Sequence, residues 1–360
     1  MTKWVLVFSA LSLLALSIVF GIDTVEAQQT PAPKSAPTPT PTISEEDQVI
    51  KIETEAVNVL FTAQDKNRRL LTGLKAEDVR ILENGQPQSI VGFSRQIDLP
   101  LSLAILIDTS ASQERTLPEE KSAAISFLES VVRPTKDEVA VVSFTGDSTL
   151  EQGMTNNLTR LRRAVDRVQF VPPSGYLGGG VVTNGGSVPG TPPISGRNQA
   201  AAGSTAIWDS VWVTSEEVLG PAPEKTRRAI ILLTDGYDTF SQKKLDDAVR
   251  AAQRAEAVIY SIGIGDKFYD GVDEGVLKKI SERTGGRAYF PRDESELRDA
   301  FRQIQEEMRS QYLLAYEPSN PAKDGSYRTI EIQLVNQQLQ KEKIKLTHRQ
   351  GYFAKSETKK

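Results

Sequence analysis

The sequence predicts an α/β fold: a Rossmann-like domain with a mostly parallel central sheet flanked by helices, inserted in an all-β sandwich formed by the N- and C-terminal segments. Three observations predict it. The apolar run L-A-I-L-I at 103–107 is too short for an independent helix and too continuous for a half-buried strand, and R-A-I-I-L-L-T-D-G at 228–236 repeats the pattern; both read as buried strands of a parallel sheet. Between residues 99 and 310, strand-like and helix-like stretches alternate regularly, as in doubly wound sheets. At both ends of the chain, short alternating and β-branched runs are broken by turn residues, with too few strands at either end for a sandwich of its own.

Taken in order, residues 1–27 read as an export leader: Lys3, an apolar run at 4–20, and the small-residue exit Val25-Glu26-Ala27. An uncleaved membrane anchor is the alternative, because the run approaches the lower limit for spanning a bilayer. Residues 28–46, rich in Pro, Thr and Ala, cannot bury a core and form an extended spacer. Residues 47–98 supply the N-terminal part of the sandwich, with strands expected at 49–61, 79–82 and 89–93 and turns at Asp65-Lys66-Asn67 and Asn84-Gly85.

Residues 99–310 form the inserted domain. Its first strand is followed by an amphipathic helix at 118–132 that turns Ala124, Phe127, Leu128, Val131 and Val132 to one side. A buried strand at 138–145 and an edge strand at 148–154 come next, then a helix at 158–168 whose Arg160, Arg162, Arg163 and Arg167 make a solvated basic face. A helix at 206–219 carries Trp208 and Trp212 one turn apart as packing residues. Beyond the second long apolar strand the pattern gives a helix at 243–256, a strand at 257–265, a helix at 275–284, a short strand at 286–290 and a closing helix at 293–311. Residues 311–354 return to strands, at 312–316, 327–335, 344–347 and 351–353, as the C-terminal part of the sandwich, and 355–360 are a polar tail.

The residues that carry chemistry stand at strand ends. Asp108, Ser110 and Ser112 lie where the first buried strand leaves the sheet, and Asp235 ends the second, with Gly236 allowing a sharp exit. Thr205 stands where a Gly-rich loop turns into a helix. Any one of these residues alone reads as a turn former or helix cap. Together they make an oxygen-only set suited to a hard divalent cation, Mg²⁺ first, with Mn²⁺ or Ca²⁺ as alternatives, and unsuited to metals that prefer imidazole or thiolate.

The pattern D-x-S-x-S, then a loop Thr, then T-D-G at the end of an apolar strand resembles the metal-ion-dependent adhesion site of von Willebrand factor A domains. Carried over by position, the resemblance implies Asp108, Ser110, Ser112, Thr205 and Asp235 as the metal-binding residues. The sequence departs from that pattern at Ala111, where many members have Gly, and at Gln113, which replaces a bulky apolar residue; neither departure removes a ligand. The flanking stretches L-K-A-E-D-V-R-I-L-E-N-G-Q, Q-Y-L-L-A-Y-E-P and H-R-Q-G-Y-F resemble exported bacterial proteins related to von Willebrand factor A.

Composition narrows the function. The chain has no cysteine, which removes thiol catalysis, thiolate metal sites and disulfides together. A net charge of −4 offers no basic excess for nucleic acid. His348 is the only histidine and lies in the terminal β segment, away from the strand-end serines that a Ser-His pair would need. A Mg²⁺-dependent phosphohydrolase built on Asp108 would want a second carboxylate two residues on, where this chain has Ser110. The Gly/Pro-rich stretch at 171–203 is either a rim that shapes access to the cation or an insertion without a role. Asp238, Asp266, Asp270 and Asp273 are candidates for outer water contacts or a second cation, or are simply turn formers.

The expected protein is exported, periplasmic or secreted, and not an enzyme. It binds an Asp or Glu of a partner protein through the cation, with no nucleic-acid partner and with membrane contact only if the leader stays attached. A scaffold whose metal merely staples its loops is the alternative. The sequence sets no oligomeric state.

Overall fold

The computed structural model describes residues 56–95, 99–172, 203–223, 226–265 and 271–356. The leader, the spacer, most of the Gly/Pro-rich stretch, and Asp266 and Asp270 lie outside the described residues.

The chain opens with four strands, β1 (Val57–Gln64), β2 (Val79–Glu83), β3 (Gln86–Pro87) and β4 (Ser89–Arg95). Asn84 and Gly85 both take positive φ, at 48° and 78°, the twist that lets a two-residue turn join β2 to β3. The next elements are β5 (Leu101–Asp108), α1 (Leu117–Val131), β6 (Glu138–Phe144), β7 (Ser148–Thr155) and α2 (Leu158–Arg167). Then follow α3 (Ile207–Val213), β8 (Arg227–Thr234), α4 (Leu245–Arg254), β9 (Ala257–Gly263), α5 (Glu274–Thr284), β10 (Ala288–Tyr289) and α6 (Glu294–Arg309). The C-terminal part contributes β11 (Tyr312–Glu317), β12 (Tyr327–Leu334), α7 (Gln337–Lys341), β13 (Lys345–His348) and β14 (Gly351–Phe353).

The central sheet has the order β10-β9-β8-β5-β6-β7, parallel except for the edge strand β7. Side chains of β5 alternate between two cores. Leu103, Ile105 and Ile107 pack with α1, α2 and α6 on one face, while Ala104 and Leu106 pack with α3, α4 and α5 on the other. Burial on both faces is why residues 103–107 of β5 and 229–233 of β8 are apolar without a break.

The sandwich is two four-stranded antiparallel sheets, β13-β1-β11-β4 and β14-β12-β2-β3, each drawing strands from both ends of the chain. Phe61, Tyr312 and Leu314 of one sheet meet Ile81, Ile330 and Ile332 of the other in a single core. It packs against the end of the inserted domain where β8 and β9 begin. There the Arg349 guanidinium bonds Glu256 Oε1 at 3.1 Å and Asn58 O at 2.8 Å, and the Gln350 N–H reaches Arg283 O at 3.2 Å. Gly285, at φ +91°, allows the approach: a Cβ there would stand 2.6 Å from the Arg349 nitrogen. Among the described residues, the contacts of the sandwich named here lie at this end and not at the carboxyl edge of the sheet.

Several elements end differently from the sequence expectation, β1 running on to Gln64 and α6 stopping at Arg309 among them, and three do so for an identifiable local reason. The helix after Thr205 widens into a π turn at Thr214–Leu219, where the Gly220 N–H bonds Ser215 O. The helix before β9 stops at Arg254 because Glu256 turns to φ +53° to enter the strand. The β9 strand stops at Gly263, and the next residue, Ile264, turns its carbonyl to the Gln113 amide.

Candidate functional site

The strands β5 and β8 are neighbours although α1, β6, β7, α2 and α3 separate them in sequence, so their carboxyl ends form the switch point at which such sheets take ligands. Parallel pairing in the register Ile107 to Leu233 sets Asp108 beside Thr234 and one residue from Asp235. Asp108 is fully buried. Its Oδ2 accepts a 2.6 Å hydrogen bond from the Thr234 hydroxyl and its Oδ1 accepts the Ser110 N–H at 2.9 Å. The Ser110 and Ser112 hydroxyl oxygens are 3.2 Å apart.

Thr205 is brought in by its backbone. Its carbonyl accepts the N–H groups of Thr239 at 2.9 Å and Phe240 at 3.0 Å, just beyond Asp235, and the Gly203 carbonyl accepts the Ala111 N–H at 3.4 Å. Asp235 is 4% exposed, and its Oδ1 accepts the Tyr237 N–H at 3.0 Å. The turn after it needs Gly236: φ is +90°, and a Cβ would come within 3.1 Å of both Asp273 O and the Leu277 side chain. The five residues singled out in the sequence thus lie at the end of β5 and on loops tied to one another at the same edge of the sheet.

Burial drives the electrostatics. Asp108 is held above the ordinary carboxylate range by loss of solvent and then by the Asp235 charge, with hydrogen bonds from Ser110 and Thr234 pulling back. Asp235 is raised by burial too, eased by the Ser112 hydroxyl and the Tyr237 N–H. Two carboxylates shut in together favour either a proton or a cation between them. The donor set, two carboxylates and three hydroxyls, fits a hard divalent cation.

The loop acids divide. Asp238 Oδ1 accepts the Ile207 N–H at 2.8 Å and the Ser241 hydroxyl at 2.6 Å, tying it to the start of α3, and Asp273 Oδ1 caps α5 at the Val276 N–H. Both have structural tasks. His348 also has one: Nε2 accepts the Ile332 N–H at 3.2 Å while Nδ1 stands 2.8 Å from Arg349 O, and burial lowers its pKa. Trp208 is buried, whereas Trp212 is part-exposed with the Lys243 ammonium 4.5 Å over its ring.

Sequence reasoning missed three residues. Thr234 was visible only as part of T-D-G, not as the partner of Asp108. Gln113 is fully buried and works as a clamp: its amide donates to Ile264 O at 3.1 Å and, at a long 3.4 Å, to Ser112 Oγ, while its Oε1 accepts the Thr116 hydroxyl at 2.8 Å. Glu120, on α1, is fully buried within the apolar stripe of that helix. Its signal was available, an acid three residues after Leu117 and four before Ala124.

Comparison with known proteins bears on the same region. A model of the von Willebrand factor type A domain matches residues 197–303, and a second model of that domain type matches residues 103–185. An uncharacterized protein of Borreliella burgdorferi is 34% identical over 89 residues, which span 20% of this chain and 26% of that protein; the chain thus covers about a quarter of this curated relative. Among solved structures, proximal thread matrix protein 1 from the mussel byssus is 17% identical over 63% of this chain and 51% of its own, with a TM-score of 0.45. A further structure of that protein has a zinc-occupied MIDAS motif, at 17% identity, 61% and 49% coverage, and a TM-score of 0.45. An aerotolerance-related membrane protein from Bacteroides fragilis is 14% identical over 58% of this chain and 99% of its own, with a TM-score of 0.41. The family models span the chain from within β5 to within α6 apart from a short gap, and the protein is a von Willebrand factor type A domain protein.

Proposed function

We propose that this is an exported, non-enzymatic recognition protein whose type A domain holds a divalent cation between Asp108, Ser110, Ser112, Thr205 and Asp235. The observation that carries the reading is the joining of two buried carboxylates and the hydroxyl-bearing loops at the switch point of the sheet. Mg²⁺ suits the set best, and Mn²⁺ and Ca²⁺ are the alternatives. When bound, the cation supplies a positive centre whose remaining positions, left to water, take an Asp or Glu carboxylate of a partner protein.

The chain's own groups prepare this. Thr234 and the Ser110 N–H fix the Asp108 carboxylate, and the Tyr237 N–H fixes that of Asp235. Because the sandwich packs at the other end of the sheet, the partner approaches an edge that the sandwich does not cover. Export is inferred from the leader-like sequence at 1–27. Among the described residues no helix is long and apolar enough to cross a membrane.

Calorimetric titration of Mg²⁺, Mn²⁺ and Ca²⁺ into chelator-treated protein, beside Asp108→Ala, tests the reading. Saturable binding lost in the variant, with its circular dichroism unchanged, is the expected result; no binding by the parent chain refutes it. The partner step is tested by an immobilised peptide library bearing single Asp or Glu residues. Retention in Mg²⁺ with release by chelator supports it, and retention indifferent to chelator favours the scaffold.

A further inference from the structure

The face of α1 that packs on the sheet carries one residue foreign to a core. Leu117, Ala124, Phe127, Leu128 and Val131 follow one another at helical spacing, and Glu120 stands among them with no exposed surface. Among the described residues neither of its carboxylate oxygens has a hydrogen-bond partner. The Thr116 hydroxyl, one turn earlier, is near enough to ease the Glu120 charge but is directed to Gln113 Oε1 at 2.8 Å. A buried carboxyl without partners is among the least favourable placements a side chain can take, and orphans of this kind mark a missing water or ion.

The position of Glu120 says which. Gln113 in the turn before α1, Thr116 at its N-cap and Glu120 in its first turn are three and four residues apart and linked through the backbone, Thr116 N–H to Gln113 O and Glu120 N–H to Thr116 O. Gln113 is bonded to Ser112 and to Ile264 O beyond β9, and Glu120 lies within the electrostatic reach of both Asp108 and Asp235. Among the described residues no three acidic or histidine side chains gather closely enough to hold a metal by themselves. Glu120 is thus a buried carboxylate that feels the Asp108 and Asp235 charges without being gathered with them into one metal-holding cluster.

We propose that Glu120 is the outer carboxylate of the cation site, accepting hydrogen bonds from water bound to the cation and adding a third negative charge beneath Asp108 and Asp235. The proposal rests on the cation reading of this edge and deepens it. Outer partners of this kind orient the groups that touch the metal, and their removal costs roughly 10- to 100-fold in metal affinity. Without the cation the same carboxylate only burdens the core, so an apolar residue there fits at least as well.

The two halves give opposite signs, which a merely structural glutamate would not. Mg²⁺ and Mn²⁺ are titrated calorimetrically into chelator-treated protein, Glu120→Gln and Glu120→Leu, and metal-free melting temperatures are recorded for all three. The expected result is a 10- to 100-fold loss of affinity in both variants, with metal-free Glu120→Leu melting at or above the parent. Parent-like affinity in the variants overturns the proposal while leaving the cation reading intact. Collapse of metal-free Glu120→Leu also overturns it, by making Glu120 a structural group. No binding by the parent overturns both.

Discussion

Glu83 in the sandwich and Glu120 beneath the strand ends are almost equally removed from solvent, at 3% and 0% exposure, yet their surroundings are opposite. Glu83 Oε2 accepts the Tyr316 hydroxyl at 2.6 Å and the Tyr352 hydroxyl at 2.9 Å, and its Oε1 faces the Arg328 guanidinium at 3.3 Å. Arg328 is itself held by Asn320 O at 2.6 Å. Glu120 has none of this. A buried polar group left open is costly, and it is this cost at Glu120 that the proposed outer-carboxylate role offsets. The Glu83 carboxylate is satisfied within the chain, although Arg328 Nε stays without a partner, whereas in the function proposed above the carboxyl edge is completed by a cation.

The contrast can be broken first at its closed end. Arg328→Ala leaves Glu83 buried without its counter-charge and should destabilise the protein by about 3–5 kcal/mol, read by urea unfolding, with cation affinity unchanged. At the open end, saturation at a hundred times the dissociation constant should stabilise the protein by about 2.7 kcal/mol. In Asp108→Asn that gain should vanish, while the metal-free variant melts no lower than the parent; thermal melts with and without Mg²⁺ check both.

The pH dependence sharpens the same difference. Burial pushes Glu120 up to about 8, with the Thr116 hydroxyl pulling back and the Asp108 and Asp235 charges adding to it. An acid whose pKa rises on folding binds more protons folded than unfolded, so stability falls as pH rises from the ordinary carboxylate range to about 8. Asp108 and Asp235, also raised, act in the same direction. Metal-free protein should therefore unfold more readily at pH 8 than at pH 5.5, with a shallower dependence in Glu120→Gln; a flat profile in the parent would contradict this. The smallest effect is expected for Gln113→Met, which loses the bonds to Ile264 O and Thr116 and should cost about 1 kcal/mol, measured by urea unfolding.

Asp108, Ser110, Ser112 and Asp235 were legible in the sequence because each follows an apolar run whose end marks a strand end, and the crevice beyond strand ends is where such sheets do chemistry. Thr205 was legible from the turn of a Gly-rich loop into a helix. The strands of the sandwich were legible by alternation, but not their pairing: β1 lies between β11 and β13, contacts more than two hundred residues apart that no local pattern encodes. Gln113 and Glu120 were hidden for a related reason. The contacts of Gln113 depend on how the turn before α1 meets Ile264 beyond β9, and the burial of Glu120 on which face of α1 meets the sheet. The caps made by Asp238 and Asp273 were indistinguishable from ligands until their N–H partners were known.

The most direct test of the open edge is the anomalous difference map of crystals grown with Mn²⁺. The account predicts a peak within coordinating distance of the Ser110 and Ser112 hydroxyls, with Asp108 and Asp235 around it and a bound water between it and Glu120. A map with no peak at this edge, or with Mn²⁺ held only elsewhere on the surface, would contradict it.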